Sequence, residues 1–433
     1  LDAWFESGQP RQLTYEFKYR FLLQISEKVR GTLELEGVLN NLIETLRPVI
    51  DYDAAGIFVL SRAILPLTHG TKSNLIAGVA SRGFPSKVGE SDPMLRSGRG
   101  IVGHVIRTGK SVIAPDVRVD PHYVEGRPHT MSEIAVPLIN NDQVIGALNL
   151  ESDKLCAYSQ DDIEVLQFFA HAASIAIERA ILHNQLVEKR RIESQLRIAR
   201  EVQISLLPRR PPDLPGYEFA GINLPTWQIG GDCYDYISLP GGAAGVAIAD
   251  VSGKGVPAAL IMATFRAALR TQVRIDHEIS HVMRAVNRLL LESIGQSAFV
   301  SAVYGVVAPG NGTFSYSNCG HNPPLLLNRK AEMKRLNCGG PALGVFHDAR
   351  FDAEEVRFDP GDMLVLYTDG VVEVMDDKAQ EFGEERLELI LRNSMHLPAE
   401  EIIRAVVDQT RSFAGQESYP DDFTIVVIRN SGG

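Results

Sequence analysis

Five acidic residues in the C-terminal half carry the chemistry this sequence can be expected to do. Asp232 stands just before "CYDYISL", Asp250 ends "GVAIA", Asp369 ends "MLVLYT", and the pair Asp421–Asp422 precedes "FTIVVI". Each apolar run reads as a β-strand. If these strands are antiparallel neighbours, the end of one and the start of the next share a sheet edge, and residues distant in sequence converge. Carboxylates gathered in this way repel one another unless cations sit among them. An all-oxygen donor set suits hard ions, Mg²⁺ or Mn²⁺ rather than zinc, so a binuclear Mg/Mn centre is the sharper reading. Taken singly, each Asp reads first as a turn residue whose carboxylate caps backbone N–H groups. Their shared context favours the metal reading. Glycines stand close by in Gly230-Gly231-Asp232, Asp250-Val251-Ser252-Gly253 and Asp369-Gly370, and glycine lets a backbone approach an ion or phosphate closely.

Two other motifs compete for the same residues. Gly-Gly-Asp also opens the signature of the cyclases that make cyclic dinucleotides, but Cys233 and Tyr234 occupy the places of its Glu and Phe. A nucleotide cyclase would also leave the later aspartate motifs unexplained. "SGKG" at 252–255 lacks the earlier glycine and the following Ser/Thr of a phosphate-binding ATPase loop. Its lysine reads as part of a turn.

Composition bounds what surrounds these residues. The chain has 433 residues, 45% hydrophobic and 22% charged, which is ordinary globular usage and long enough for two or three domains. A net charge of −11 argues against broad nucleic-acid binding, and the basic run within 188–210 reads as a solvated helix face. No stretch approaches the roughly 20 uninterrupted apolar residues of a membrane span. The opening "LDAWFESGQP" has neither the basic nor the apolar region of a signal peptide, and it lacks an initiator Met. A fragment with a domain upstream is therefore an open expectation. Cys156, Cys233, Cys319 and Cys338 show no metal-ligand spacing and read as free thiols of a reducing compartment, so the cytoplasm is the expected location.

The elements that must position the aspartates follow from periodicity. Residues 14–50 read as helical, followed by the strand-like runs "AAGIFVL", "NLIAGVA", "SVIAPDV", "EIAVPLI" and "VIGALNL". The last two flank "NNDQ", a hairpin turn. A long helix starts at "SQDDIEVLQFFAHAASIAIERAIL", with Ser159 as its N-cap, and runs on towards Leu207. Ile175, Arg179, Leu182 and Leu186, then Ile192, Leu196, Ala199, Gln203 and Leu206, follow coiled-coil-like spacing, which suits a linker helix paired in a homodimer. Prolines at 208, 211, 212 and 215 end it. Beyond them, strands and grouped helices, among them "VPAALIMATFRAALRTQ", "ISHVMRAVNRLLLES" and "AEEIIRAVVDQTRSF", predict an α+β layered domain. The expected organisation is a helical lead-in over 1–29, a first domain over 30–180, a helical linker over 181–212 and a second domain over 213–430.

The first domain resembles the GAF family of small sensory domains, through "GRGIVGHVIRTGKSVIAPDV", the hairpin ending "VIGALNLES" and the exit helix. The resemblance implies an α/β fold and a small-molecule or protein signal of unknown identity. The Asn-Lys-Phe-Asp-Glu signature of cyclic-nucleotide binders is absent. His104, His122 and His129 could line a pocket but read first as loop or surface residues.

The second domain closely resembles the SpoIIE-type branch of the metal-dependent protein phosphatases, relatives of the eukaryotic type 2C enzymes. The ordered motifs are "SLLPRRPPDLPGYEF", "LPTWQIGGDCYDYISL", "IADVSGKGVPAALIMA", "NCGHNPPLLL", "GGPALGV", "LVLYTDGVVEV" and "DDFTIVVI". The resemblance implies an αββα sandwich holding two Mn²⁺ or Mg²⁺ ions at one end. By motif, Asp232, Asp250, the Val251 carbonyl, Asp369 and Asp421 become metal ligands, with Asp422 the less favoured neighbour. Two such ions ~3.5–4 Å apart generate hydroxide for in-line attack on phosphorus and offset phosphoryl charge. Cys233, where the family has an aromatic, is then dispensable for chemistry. His321, in "GHNPP", is expected to stabilise its turn rather than donate a proton. No counterpart of the phosphate-gripping arginine of the eukaryotic enzymes is found. For this architecture the resemblance implies a signal-regulated phosphoserine/phosphothreonine phosphatase acting on a phosphorylated, STAS-type anti-sigma-factor antagonist in bacterial partner switching. The alternative reading is a catalytically silent module that docks a phosphoprotein.

Overall fold

The computed structural model describes residues 20, 23, 25, 27, 34–61, 76–84, 99–226, 229–294, 298–415, 419 and 421–432. The chain divides into two units, Leu1–Ile192 and Glu193–Gly433, and one helix crosses the division.

In the first unit, α1 (Leu35–Leu46) precedes β1 (Ala54–Leu60), β2 (Ile76–Arg82), α2 (Gly100–Thr108), β3 (Val112–Ala114), β4 (Ser132–Asn140) and β5 (Gln143–Ser152). The sheet is antiparallel in the order β2-β1-β5-β4-β3. Of the helix expected over 14–50, Leu35–Leu46 is the longest described part, and residues 74–75 of "NLIAGVA" lie outside the described residues. The "NNDQ" hairpin forms: Asn140 pairs Gln143, and Asn141 and Asp142 take φ of 46° and 61°. Asn and Asp tolerate that left-handed backbone, which matches the twist of the strands they join. One face of the sheet packs Ile57, Val136 and Leu148 against Leu39 and Leu42 of α1 and against Leu166, Phe169 and Ile177 of the next helix. The other face packs Phe58, Ala135 and Ala147 against Ile101 and Val105 of α2.

The next helix, α3 (Gln160–Leu206), has 47 residues, about 70 Å at ~1.5 Å per residue, and covers the run expected from Ser159 towards Leu207. Ser159 and Asp162 cap its start reciprocally: the Ser159 N–H and hydroxyl donate to the Asp162 carboxylate at 2.9 and 2.7 Å, and the Asp162 N–H donates back at 3.4 Å. An 18-residue window of α3 is apolar enough to cross a membrane by length and composition, but 56% of it is buried within the protein. Ile163, Leu166, Phe169 and Ala173 supply core contacts of the first unit instead.

The second unit stacks two mainly antiparallel sheets between two helix pairs. Its elements are β6 (Tyr217–Leu224), β7 (Cys233–Ser238), β8 (Ala244–Val251), α4 (Val256–Ile275), α5 (Ile279–Ser293), β9 (Val300–Ala308), β10 (Thr313–Cys319), β11 (Leu325–Leu327), β12 (Met333–Arg335), β13 (Gly339–Gly340), β14 (Glu354–Arg357), β15 (Met363–Tyr367), α6 (Gly383–Ser394), α7 (Ala399–Ala414) and β16 (Phe423–Asn430). The first sheet runs β13-β10-β9-β8-β7, its short edge strand β13 pairing in parallel, and the second β12-β11-β15-β16-β6. Alternation along the strands divides the apolar side chains. Val246, Ile248, Val303, Leu364, Leu366 and Val426 fill the layer between the sheets. Ala247, Ala249 and Tyr304 face Met262, Phe265, Met283 and Val286 of α4 and α5. Val365, Tyr367, Ile425 and Val427 face Leu387 and Leu391 of α6 and Ile402 and Val406 of α7. The result is the expected αββα sandwich.

Candidate metal centre

Each sheet of the sandwich delivers aspartates by the same device. In the first, β7 and β8 are antiparallel, with Cys233 opposite Ala249, so Asp232 at the start of β7 and Asp250 near the end of β8 share an edge. In the second, β15 and β16 are antiparallel, with Tyr367 opposite Ile425, so Asp369 just past β15 and Asp421–Asp422 just before β16 share the matching edge. All five carboxylates meet at one end of the sandwich, as the strand pattern predicts.

Their electrostatics record that crowding. Asp232 is 3% exposed, and burial first, then Asp250, holds its carboxyl well above the usual range. Asp250 is raised to about 6 by burial, then by Asp369, with Asp421 and Asp422 adding to it and a hydrogen bond from Asp232 opposing. Asp369 is raised by burial and then by Asp421. Repulsion of this kind is what a bound dication relieves.

Contacts separate the roles of the five. Asp232 Oδ2 accepts the hydroxyls of Thr368 and Thr424, each at 2.7 Å. Both threonines come from the second sheet, so this carboxylate ties the two sheets together. Asp421 Oδ2 pairs with Lys254 Nζ at 2.8 Å. Asp422 spends both oxygens on backbone, accepting the N–H of Thr226 at 2.8 Å and of Gly231 at 2.7 Å. A Cβ on Gly230 would stand 2.3 Å from Asp422 Oδ2, and one on Gly231 would stand 3.0 Å from the Val251 carbonyl oxygen. The two glycines therefore leave room for the carboxylate and the carbonyl that the site gathers.

The donors are all oxygens, which fits Mg²⁺ or Mn²⁺. Among the described residues, no three Asp, Glu, His or Cys side chains close on a common point as a finished ligand set. The contacts of Asp421 with Lys254 and of Asp422 with the loop occupy carboxylates that such a set would draw on.

Other expectations resolve on contacts. His321 is 7% exposed, and burial depresses its ring to about 4, partly offset by the Tyr367 carbonyl. Its Nδ1 lies 2.8 Å from Ser301 Oγ. Its Nε2 is buried without a hydrogen-bond partner. The Asn318 side chain accepts its backbone N–H at 2.8 Å and donates to its carbonyl at 2.9 Å. These bonds brace the turn that carries His321, the role expected for it from sequence. Cys233 is buried in the core beneath α4, and burial, then Asp232, pushes its thiol up. In the first unit, His104 and His122 stack with ring centroids 3.9 Å apart, while His129 is exposed.

Several residues with buried or site-flanking contacts were not singled out from sequence. Thr368 and Thr424 sit inside the quoted motifs "LYTDG" and "DDFT", where a hydroxyl beside a ligand position was the available signal. Gln203 lay in the heptad pattern, and nothing local tied it to the site. On β7, buried Asp235 is gripped by Arg270 from α4 through Nε at 2.5 Å and Nη2 at 2.7 Å, with Arg266 Nε 3.1 Å away. In the first unit, Glu133, Asn149 and Glu151 are buried together on the α2 face of the sheet. Asn149 donates to Glu133 at 3.1 Å and to Glu151 at 3.4 Å.

Comparison with known proteins agrees with this fold and domain order. Residues 240–431 match the family Stage II sporulation protein E (SpoIIE), and residues 32–178 match the GAF domain family. Phosphoserine phosphatase RsbU of Bacillus subtilis is 29% identical over 240 residues, covering 55% of this chain and 70% of RsbU. Protein IcfG of Synechocystis sp. is 29% identical over 263 residues, covering 54% of this chain but 42% of IcfG. The solved SiaA-PP2C domain of Pseudomonas aeruginosa superposes with a TM-score of 0.51 at 22% identity, covering 56% of this chain and 98% of that domain. The chain thus joins a GAF domain to a SpoIIE-type domain with the PP2C phosphatase fold.

Proposed function

We propose that this protein is an Mn²⁺- or Mg²⁺-dependent phosphoserine/phosphothreonine protein phosphatase controlled through its GAF domain. The observation that carries the reading is the convergence of Asp232, Asp250, Asp369 and Asp421 from two sheets onto one end of the sandwich, where burial and neighbouring carboxylates raise Asp232, Asp250 and Asp369. Asp232, Asp250, the Val251 carbonyl, Asp369 and Asp421 would hold the ions, and Asp422 would hold the loop beside them. When bound, the ions supply hydroxide at neutral pH and offset charge on the phosphoryl group. The chain's own residues fix the geometry. Thr368 and Thr424 orient Asp232, and Lys254 stands at the rim as a cation. Neither the Cys233 thiol nor the His321 ring enters the chemistry.

The matched relative RsbU is named a phosphoserine phosphatase, which supports the same reaction here. We assign the substrate to the class of phosphorylated, STAS-type anti-sigma-factor antagonists, in a cytoplasmic partner-switching system. The half-exposed apolar side chains of α3, Ile175, Leu182 and Leu186 at spacings of seven and four, support pairing of two chains along the linker. The test is phosphate release from a phosphoserine-bearing antagonist protein with added Mn²⁺, comparing the full chain with Asp369→Asn. Manganese-dependent turnover that falls at least about 100-fold in the variant is expected, the loss of one ligand crippling the site. Turnover equal in both proteins would remove Asp369 from the site. Mn²⁺ binding without turnover on any phosphoprotein would favour the docking module.

A further inference from the structure

The loop that carries Asp232 is suspended from two sides. On one side Asp422 accepts the Gly231 N–H. On the other, the side-chain amide of Gln203, in the last turn of α3, makes a reciprocal pair with Gly230. Gln203 Nε2 donates to the Gly230 carbonyl at 2.6 Å, and Gln203 Oε1 accepts the Gly230 N–H at 3.2 Å. An amide matches a peptide unit in this way because it carries one donor and one acceptor side by side. Leu206 and Leu207 pack partly buried against the core beneath α4, so the helix end that presents Gln203 is itself anchored. Asp232 follows Gly230 by two residues, and its carboxylate has one correct place, between Thr368 and Thr424.

We propose that Gln203 is a positioning residue of the metal centre: its amide fixes the Gly230–Asp232 backbone so that Asp232 and the Val251 carbonyl face the ion. The inference rests on the phosphatase reading. It extends that reading to a residue outside every aspartate motif, on a helix that runs unbroken from residue 160. Gln203 touches neither substrate nor ion. It acts on the ligand as supporting partners of metal ligands do, where their loss costs about 10–100-fold in metal affinity.

The experiment uses the full chain with Gln203→Leu, which keeps the bulk and removes both bonds, and Gln203→Glu, which keeps the acceptor and loses the donor. Mn²⁺ binding is measured by the electron paramagnetic resonance signal of free Mn²⁺. Amide exchange of 229–233 is measured without metal. Both variants are expected to bind Mn²⁺ about tenfold more weakly and to exchange faster at Gly230, with β8 protection unchanged as the control for folding. Activity at saturating Mn²⁺ is expected to recover to within a few-fold in Gln203→Glu. Unchanged Mn²⁺ affinity together with unchanged loop exchange in both variants would overturn the proposal. If the wild-type chain binds no Mn²⁺, the phosphatase reading fails, whereas the exchange at Gly230 still decides whether Gln203 holds the loop. Loss of β8 protection in Gln203→Leu moves the decision to Gln203→Glu.

Discussion

Buried carboxylates occur in both units, and they answer to different partners. In the second unit Asp232 is met by two hydroxyls and by neighbours that share its charge. In the first, Glu133 is 4% exposed, and burial, then Glu151, lifts it from 4.5 to about 8, with Asn149 opposing. The sign of its effect on stability follows from linkage. An unfolded Glu133 ionises near 4.5, whereas the folded one holds its proton to about 8. Stability is therefore greatest below about 4.5 and declines as pH rises towards 8. Amide exchange of β4 and β5, corrected for intrinsic rate, is expected to show protection falling between pH 5 and 8 in the wild type. Glu133→Gln, which has no proton to lose, is expected to flatten that slope. An unchanged slope in the variant would place the titration on another group.

At the scale of elements, α4 illustrates how a helix is fixed relative to a strand that ends in the site. Pro257 sits in its first turn, where a missing N–H costs nothing, and Met262, Phe265 and Leu269 bury its apolar face. Packing alone would allow some sliding along β7. The bidentate grip of Arg270 on Asp235 sets the register, and Arg270 Nη2 adds a bond to the Tyr236 carbonyl at 2.9 Å. Asp235 is buried and Arg270 about one-third exposed, so removing the arginine leaves a buried carboxylate with less compensation. Arg270→Ala is expected to cost on the order of 3 kcal/mol in denaturant unfolding of the second unit, with Arg266 left to carry Asp235 alone. A loss under about 0.5 kcal/mol, typical of a surface pair, would show the grip to be dispensable. This clamp left only weak traces in sequence, because Asp235 and Arg270 read as ordinary members of an alternating strand and a solvated helix face.

For the whole molecule, α3 is the element that belongs to both units. Its N-terminal part is core, and beyond Ile181 several of its apolar side chains are exposed, among them Leu182 at 52%, Leu186 at 54% and Ile192 at 49%. Apolar residues held at coiled-coil spacing without cover are stabilised by a second copy. The chain is expected to sediment as a dimer, and Leu182→Glu with Leu186→Glu is expected to shift it towards monomer with the GAF fold intact. A wild-type monomer at micromolar concentration would remove the paired linker from the proposed mechanism.

Sequence alone determined where the elements begin and end when their signals were local. The "NNDQ" hairpin, the Ser159 cap, the proline stop after Leu206 and the strands leading to each aspartate follow from turn chemistry and apolar periodicity. Strand ends also made the gathering of Asp232, Asp250, Asp369 and Asp421 legible, because antiparallel pairing brings an end beside a start. The short strands β11 to β14 and helix α6 carried too few periodic residues to stand out. Which contacts each carboxylate makes was decided only by the tertiary structure. Asp421 and Asp422 are neighbours of identical chemistry in the chain, yet one faces Lys254 and the other accepts two backbone N–H groups. Gln203 and Gly230 are 27 residues apart, and no propensity links them. Periodicity reports which side of an element is buried, whereas a hydrogen bond between distant segments depends on how whole layers stack, and a single residue type does not encode that.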